Sequence, residues 1–304
     1  MNIPIEYNKD NSNFIKFKEI KISTFLSTKD ENIDDITVKS FGEEWSKFDS
    51  FSEAEIEKIG NEYFDIINDK IINKNTVVLD IGCGSGRWDY YLADKVRFIE
   101  AIDPSNAVFV ASQMLKNKDN VRITQASVSN IPFNDESFDF IMSLGVLHHI
   151  PNTKQAIADA VKKLKKGGYF FVYLYYDLDN RNIFYKFLFK FSNIIRLLIS
   201  TLPSTIKRFV CDTIAFLIYL PFISFANLVK NIFRNSNLYK KIPLSYYVGK
   251  SLNVIRNDAL DRFGTPLEQR FSKKEIKEML KYSGLTNIKF SENPPFWHVV
   301  GEKK

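Results

Sequence analysis

Residues Thr76–Ile81 (TVVLDI) form a short β-branched run that ends in Gly82-Cys83-Gly84-Ser85-Gly86-Arg87-Trp88. A run of this kind reads as a strand. Glycine at every second position lets the following backbone turn through conformations closed to other residues and approach a ligand closely. A strand that feeds a glycine turn and then a helix opens a doubly wound α/β unit, whose ligands bind beyond the carboxyl ends of the strands.

The rest of the chain follows from that start. Val96–Ile102, Val121–Thr124, Phe138–Leu144 and Gly168–Leu174 read as further strands. Helical stretches at Arg87–Asp94, Ser105–Lys116 and Thr153–Lys165 separate them, the last closing on a Lys-Lys-Gly-Gly stop. Strands buried on both faces that alternate with helices imply a parallel sheet with right-handed crossovers. The pattern breaks for some seventy residues and resumes with Ser272-Lys-Lys-Glu275, a capping box opening a helix, and two short runs, Thr286–Ser291 and Trp297–Val300, that can pair as a hairpin. Ahead of the sheet, Ala54–Ile72 carries a helical stripe, and residues 1–36 are polar.

The turn's chemistry narrows its ligand. A nicotinamide dinucleotide site places a third glycine at 87, where this chain has Arg87, and its pyrophosphate sits poorly beside Asp80. An acid there suits a cofactor that carries an ammonium and a sulfonium. Asp103, about twenty residues beyond the turn, stands where a carboxylate accepts ribose hydroxyls.

Four motifs in order carry a resemblance: the glycine turn, Ala101-Ile102-Asp103-Pro104-Ser105, Gln125–Phe133, and Asp135–Asp139 with Leu144-Gly145-Val146-Leu147-His148-His149. The run Val77–Tyr175 resembles the class I S-adenosylmethionine-dependent methyltransferases. The resemblance implies a Rossmann-like, mostly parallel seven-stranded sheet and S-adenosylmethionine as cofactor, with S-adenosylhomocysteine as product. It places Asp80, Gly82, Cys83, Gly84, Gly86, Asp103, Pro104, Ser127, Val128 and Leu144 around the cofactor, with Ser127 standing where the family's adenine-facing acid usually lies. Phe41-Gly42-Glu43-Glu44-Trp45-x-x-Phe48 and Asp261-Arg262-Phe263…Phe271-Ser272-x-x-Glu275 are similar to stretches in bacterial methyltransferases encoded with surface-polysaccharide and other secondary pathways.

Methyl transfer from a sulfonium mainly needs near-attack geometry and exclusion of water. A hydroxyl or ammonium acceptor also needs a proton removed, and His148 is the candidate base, beside the competing reading of a histidine that only holds its loop. Trp45, His149, Tyr173, Tyr176, Arg256 and Asp261 are candidate acceptor contacts, with packing the competing account for the rings and solvated surface charge the first account for Arg256 and Asp261. No His/Cys cluster has zinc spacing and no converging carboxylates suggest Mg²⁺, so no metal is expected.

Ten Lys/Arg and one acid, Asp212, lie between Arg181 and Lys241, a net +9 that leaves the remainder near −3. The excess belongs to an apolar, Phe-rich segment rather than to a nucleic-acid groove. Residues 180–250 are expected to form a helical lid between the fifth strand and the last helix. An interfacial helix pair on anionic lipid through Lys207, Arg208, Lys230 and Arg234, or a dimer contact, are the other uses for its apolar face. Thr213–Val229 is uncharged but too short, and interrupted by Pro221, for an easy membrane span. The expected domains are thus a lead-in over 1–74 covering the cofactor, a cofactor domain over 75–179 and 251–304, and the insertion over 180–250. With two cysteines and no basic-then-apolar start, a cytoplasmic enzyme, peripheral to the membrane at most, is expected. Its acceptor is read as a small molecule, first a sugar or nucleotide-sugar hydroxyl or amine. A polyprenyl-linked or quinone-like lipid is the alternative, and a non-catalytic cofactor-binding regulator is the remaining class.

Overall fold

The computed structural model describes residues 4–9, 13–27, 31–45, 52–178, 183–234 and 236–304, with the side chains of 43–45, 184–186 and 188 outside that set. The described chain divides into two compact units, Met1–Asp179 with Leu267–Lys304, and Asn180–Pro266.

The first unit is built on the sheet. Its strands are β1 (Phe14–Phe17), β2 (Ile20–Thr24), β3 (Val77–Ile81), β4 (Phe98–Asp103), β5 (Val121–Gln125), β6 (Phe138–Leu144), β7 (Leu164–Tyr173), β8 (Leu285–Phe290) and β9 (His298–Lys303). They line up as β1-β2-β5-β4-β3-β6-β7-β9-β8. The stretch from β5 to β8 is the expected seven-stranded, mostly parallel sheet, in which β9 alone runs antiparallel to its neighbours. The seven become nine because β1 and β2 form a hairpin that adds to β5 through the parallel pairs Ser23↔Thr124 and Thr24↔Gln125.

Every residue of β3 is buried, and the period-two alternation sends successive side chains to opposite faces. Val77, Leu79 and Ile81 join Ala156, Ile157 and Val161 of helix α5 (Thr153–Lys163) and Ile276 and Leu280 of helix α10 (Lys273–Tyr282). Val78 joins Ile56 of helix α2 (Glu53–Tyr63) and Trp88 and Leu92 of helix α3 (Arg87–Ala93). The expected capping box at Ser272 and Glu275 opens α10.

Three expectations for this unit change. Helix α2 stops at Tyr63 and does not reach Ile72, because Asp65 turns to accept from Ser291, Asn293 and His298. The Lys-Lys-Gly-Gly run does not stop α5; the helix ends at Lys163 and the glycines lie inside β7. There Gly167, at φ +75°, carries a bulge between the pairs Phe138↔Leu164 and Phe140↔Tyr169. The insertion, expected over 180–250, runs to Pro266. Its helices are α6 (Ile183–Ser200), α7 (Ser204–Ile214), α8 (Leu220–Ile232) and α9 (Leu252–Gly264), and α9 belongs with them because α6 and α7 both pack on it.

Candidate active site

The glycine turn lies at the carboxyl edge of β3, and its neighbours hold it tightly. Gly82, Gly84 and Gly86 have φ of +81°, +53° and +80°, a region that favours glycine. A Cβ at Gly82 would sit 2.5 Å from Val146 Cγ1, so the loops after β3 and β6 approach more closely than any other residue allows. The Gly82 and Cys83 N–H groups donate to Ile102 O at 2.7 and 3.1 Å, Gly84 N–H to Asp103 Oδ2 at 3.0 Å, and Gly86 N–H to Cys83 O at 2.9 Å. These bonds hold the turn against the end of β4. The Cys83 side chain packs with Ala101, Ala111 and Leu115, and burial pushes its thiol well above the usual range. Its contribution toward a ligand is therefore backbone alone.

Asp103, at the end of β4, also accepts from Ser105 N–H at 2.8 Å and Ser105 Oγ–H at 2.6 Å. A carboxylate offers about four lone-pair sites; three are filled, and about one remains toward the crevice. Burial raises its pKa while these three donors pull it back.

Asp80 and Asp89 are a contrast. Both are buried, and among the described residues no donor from outside the pair bonds either carboxyl, so they are left with each other. Burial raises both; the charge of Asp89 raises Asp80 further, and Asp89 itself is pushed up to about 8. Near neutral pH the pair keeps a proton. Asp89, on α3, was not among the sequence candidates. The nearby Ser85 hydroxyl is buried and likewise without a partner.

On the neighbouring strand ends, Leu144 and Ser143 close β6, with Ser143 Oγ–H donating to Ile81 O at 2.8 Å. His148 and His149 follow in a 3-10 turn, Leu147–His149. The His148 ring stacks on Tyr175 at 3.8 Å and meets His149 at 4.0 Å. It is fully buried, and neither ring nitrogen has a hydrogen-bond partner among the described residues. Burial, then His149 and Arg270, hold its pKa well below the usual value, so it is neutral at physiological pH. His149 Nδ1 lies 2.7 Å from Leu267 O, and Gln269 N–H donates to His148 O. These bonds tie the histidine turn to the segment 267–271. There the Arg270–Glu268 ion pair, 2.7 Å, is nearly buried, with the guanidinium 5.1 Å from the Tyr175 ring.

The candidate contacts therefore separate. Tyr173 and Tyr175 face the histidines. Tyr176, one position on, packs on Phe296 and Trp297 and is not in ring contact with the histidines, whereas Tyr175, absent from the sequence candidates, is. Arg256 and Asp261 belong to the second unit. Arg256 is held there by both Asp212 oxygens at 2.8 and 2.7 Å, and Asp261 lies beside Thr265 Oγ1. Trp45 closes helix α1 (Asp35–Trp45), but its side chain, like all of Phe48, lies outside the described residues.

Beyond β5, Ser127 Oγ lies 3.1 Å from Ser129 Oγ, and Val128 is buried. Gln125 spans Thr24 Oγ1 and Pro104 O at 2.7 and 3.3 Å, a role that only the unforeseen hairpin reveals. Among the described residues, no group of three His, Cys, Asp or Glu side chains could hold a metal ion.

Residues 79–172 match a family model described as a methyltransferase domain. Among curated proteins, the uncharacterized methyltransferase YcgJ of Bacillus subtilis is 32% identical over 102 residues, 33% of this chain and 40% of its own. Demethylmenaquinone methyltransferase of Staphylococcus aureus is 29% identical over 107 residues, 34% and 44% of the two chains. The chain thus spans less than half the length of these relatives. The solved structure of the Bacillus YcgJ protein superposes with a TM-score of 0.47 and 19% identity over 76% of this chain and 70% of its own. The segment 79–172 is a domain of the class I S-adenosylmethionine-dependent methyltransferases, and S-adenosylmethionine is the cofactor that goes with it.

The residues present fit that cofactor. Asp80 and Asp89 are buried acceptors that lack donors, which a methionine ammonium would supply. Asp103 keeps an acceptor site for a ribose hydroxyl.

Proposed function

We propose that this chain transfers a methyl group from S-adenosylmethionine to a hydroxyl or amine of a small molecule, a sugar or nucleotide sugar being the favoured acceptor. The observation that carries the transfer reading is the pairing of Asp103, held by three donors with one acceptor site left, with a buried Asp80–Asp89 pair that lacks outside donors, both beside one glycine turn. The sugar part draws on the similarity of the Phe41–Phe48 and Asp261–Glu275 stretches to enzymes of surface-polysaccharide pathways.

When bound, the cofactor supplies an electrophilic methyl group. The protein's part is to orient and exclude water. Asp80 and Asp89 hold the amino-acid end, Asp103 the ribose, and Ser127 and Val128 border the base. His148, Tyr173 and Tyr175 wall the acceptor side. Neutral His148 has the form a base must have, but its depressed pKa makes it a weak one, so its first contribution is to position the wall.

A second reading, a polyprenyl-linked or quinone-like acceptor at a membrane surface, is favoured by the exposed apolar helices of the Asn180–Pro266 unit. One relative is, by name, a demethylmenaquinone methyltransferase.

Calorimetry with S-adenosylhomocysteine tests the transfer reading. Wild-type protein should bind, and Asp103→Ala should weaken binding roughly 10- to 100-fold, as expected on losing a charged hydrogen-bond partner. No binding to wild type, or equal binding to the variant, would overturn it. Screening sugar nucleotides against quinones in a methyl-release assay decides the acceptor.

A further inference from the structure

The Asn180–Pro266 unit buries two of its cations, Arg196 and Lys207, and shows apolar side chains. Its helix Ser204–Ile232 has a window of mean hydropathy 1.9 that is only 22% buried. Phe209, Leu217 and Phe225 are 72%, 71% and 56% exposed, and Ile206, Phe222, Leu228 and Ile232 are exposed with them. On α6, Phe187, Phe191, Ile194 and Leu198 are exposed at spacings of four, three and four, one helical stripe. Single exposed apolar residues are ordinary; continuous stripes on successive helices mark an interaction surface.

The long helix is shaped to keep that surface outward. Its inward residues, Lys207, Cys211, Ala215, Tyr219 and Ile223, recur every four positions. In a regular α-helix a step of four drifts by about 40°, so such a stripe would wind off its face. The π-helical turn Ala215–Tyr219 unwinds the drift, and it sits just before Pro221, whose ring would crowd a regular preceding turn.

The charge selects the occupant. Residues 181–241 carry a net +9, and Lys190, Lys230, Arg234 and Lys240 are exposed. A symmetric contact with a second copy would set two such faces against each other. An anionic bilayer accepts both parts, apolar side chains at the acyl boundary and cations among phosphates. The helix does not suit a span, because its inward side is tied by polar bonds to α9: Lys207 Nζ donates to Gly264 O at 2.9 Å, and Asp212 pairs with Arg256. We propose that this unit docks on an anionic membrane surface with α6 and α7–α8 lying in the interface. The proposal stands independently of the methyl-transfer reading.

Flotation of the full chain with phosphatidylcholine vesicles, with and without phosphatidylglycerol, tests it. The protein should float with the mixed vesicles, less with phosphatidylcholine alone, and be released in part by salt. Lys230→Ser and Arg234→Ser should each lower partitioning about fivefold. The combined variant Phe209→Asp, Leu217→Asp, Phe225→Asp should stay unbound while keeping its circular dichroism and S-adenosylhomocysteine affinity, since all three sites face outward. Wild-type protein that fails to float, or a triple variant that floats equally, would refute the proposal. So would resistance to alkaline carbonate extraction, which indicates a span, or a concentration-dependent dimer abolished by the triple variant in the absence of any flotation.

Discussion

Both units of this chain bury apolar side chains, but only the helical one also buries cations while leaving large apolar side chains open. In the sheet unit Leu79, Phe140 and Phe171 are fully buried. In the helical unit Arg196 and Lys207 are 6% and 8% exposed, whereas Phe209 and Leu217 stand mostly in the open. The buried cations have a clear task. Arg196 Nη1 donates to Thr265 O and Pro266 O at 2.8 and 3.0 Å, and Lys207 Nζ to Gly264 O. These carbonyls close helix α9, where backbone acceptors lack intrahelical donors and the dipole favours positive charge. Apolar area removed from water thus holds both units, and in the helical unit two buried cations also staple the end of helix α9.

Changes of like size should therefore have unlike effects in the two units. The largest contrast is a pair of leucines. Leu79→Ala should cost ~2–5 kcal/mol in urea unfolding, the range for a buried leucine, while Leu217→Ala should stay within about 0.5 kcal/mol. Similar losses at both positions would dissolve the comparison. Next, Arg196→Ala strands two buried carbonyls and should cost ~2–3 kcal/mol, seen as faster proteolysis within 180–266 with 79–172 unaffected. The last contrast is a pH dependence confined to the sheet unit. The folded protein holds a proton on the buried Asp80–Asp89 pair, both groups being raised above the ordinary carboxyl value, that the unfolded chain releases. The pair's contribution to stability is then full below the ordinary value and declines as pH rises toward 8 in ligand-free protein. Asp89→Asn should flatten that decline in thermal melts while weakening cofactor binding. A profile unchanged by the substitution would show that the proton sits elsewhere.

What was legible in the sequence follows the same division. The sheet from β5 to β8 and the glycine turn were readable because β-branched runs, glycines and one acid recur at spacings that few other structures use. The hairpin Phe14–Thr24 was not, although apolar residues and lysines alternate there. Its turn places Lys18 at φ +53°, where glycine or asparagine is the usual signal. Asp89 looked like an ordinary acid in a helix's first turn; only the fold shows it buried against Asp80. Glu268 and Arg270 sit in an irregular segment without periodicity, and their pairing beside Tyr175 is a tertiary fact. The end of the insertion was misplaced because α9 reads as a mildly amphipathic helix that either unit could claim. Its partners, Arg196, Lys207 and Asp212, lie 44–70 residues away.

The added hairpin also has a consequence for how the chain behaves in a crowded solution. It moves the rim of the sheet from β5 out to β1, a four-residue strand whose neighbourhood carries Lys16, Lys18 and Lys21. Lys21 and Lys18 lie over the exposed rings of Phe14 and Phe17 at 3.7 and 5.5 Å. A short border strand guarded by ammonium groups is a poor template for another molecule's backbone. The hairpin thereby acts as a gatekeeper, shielding the interior strands from fibril-like stacking.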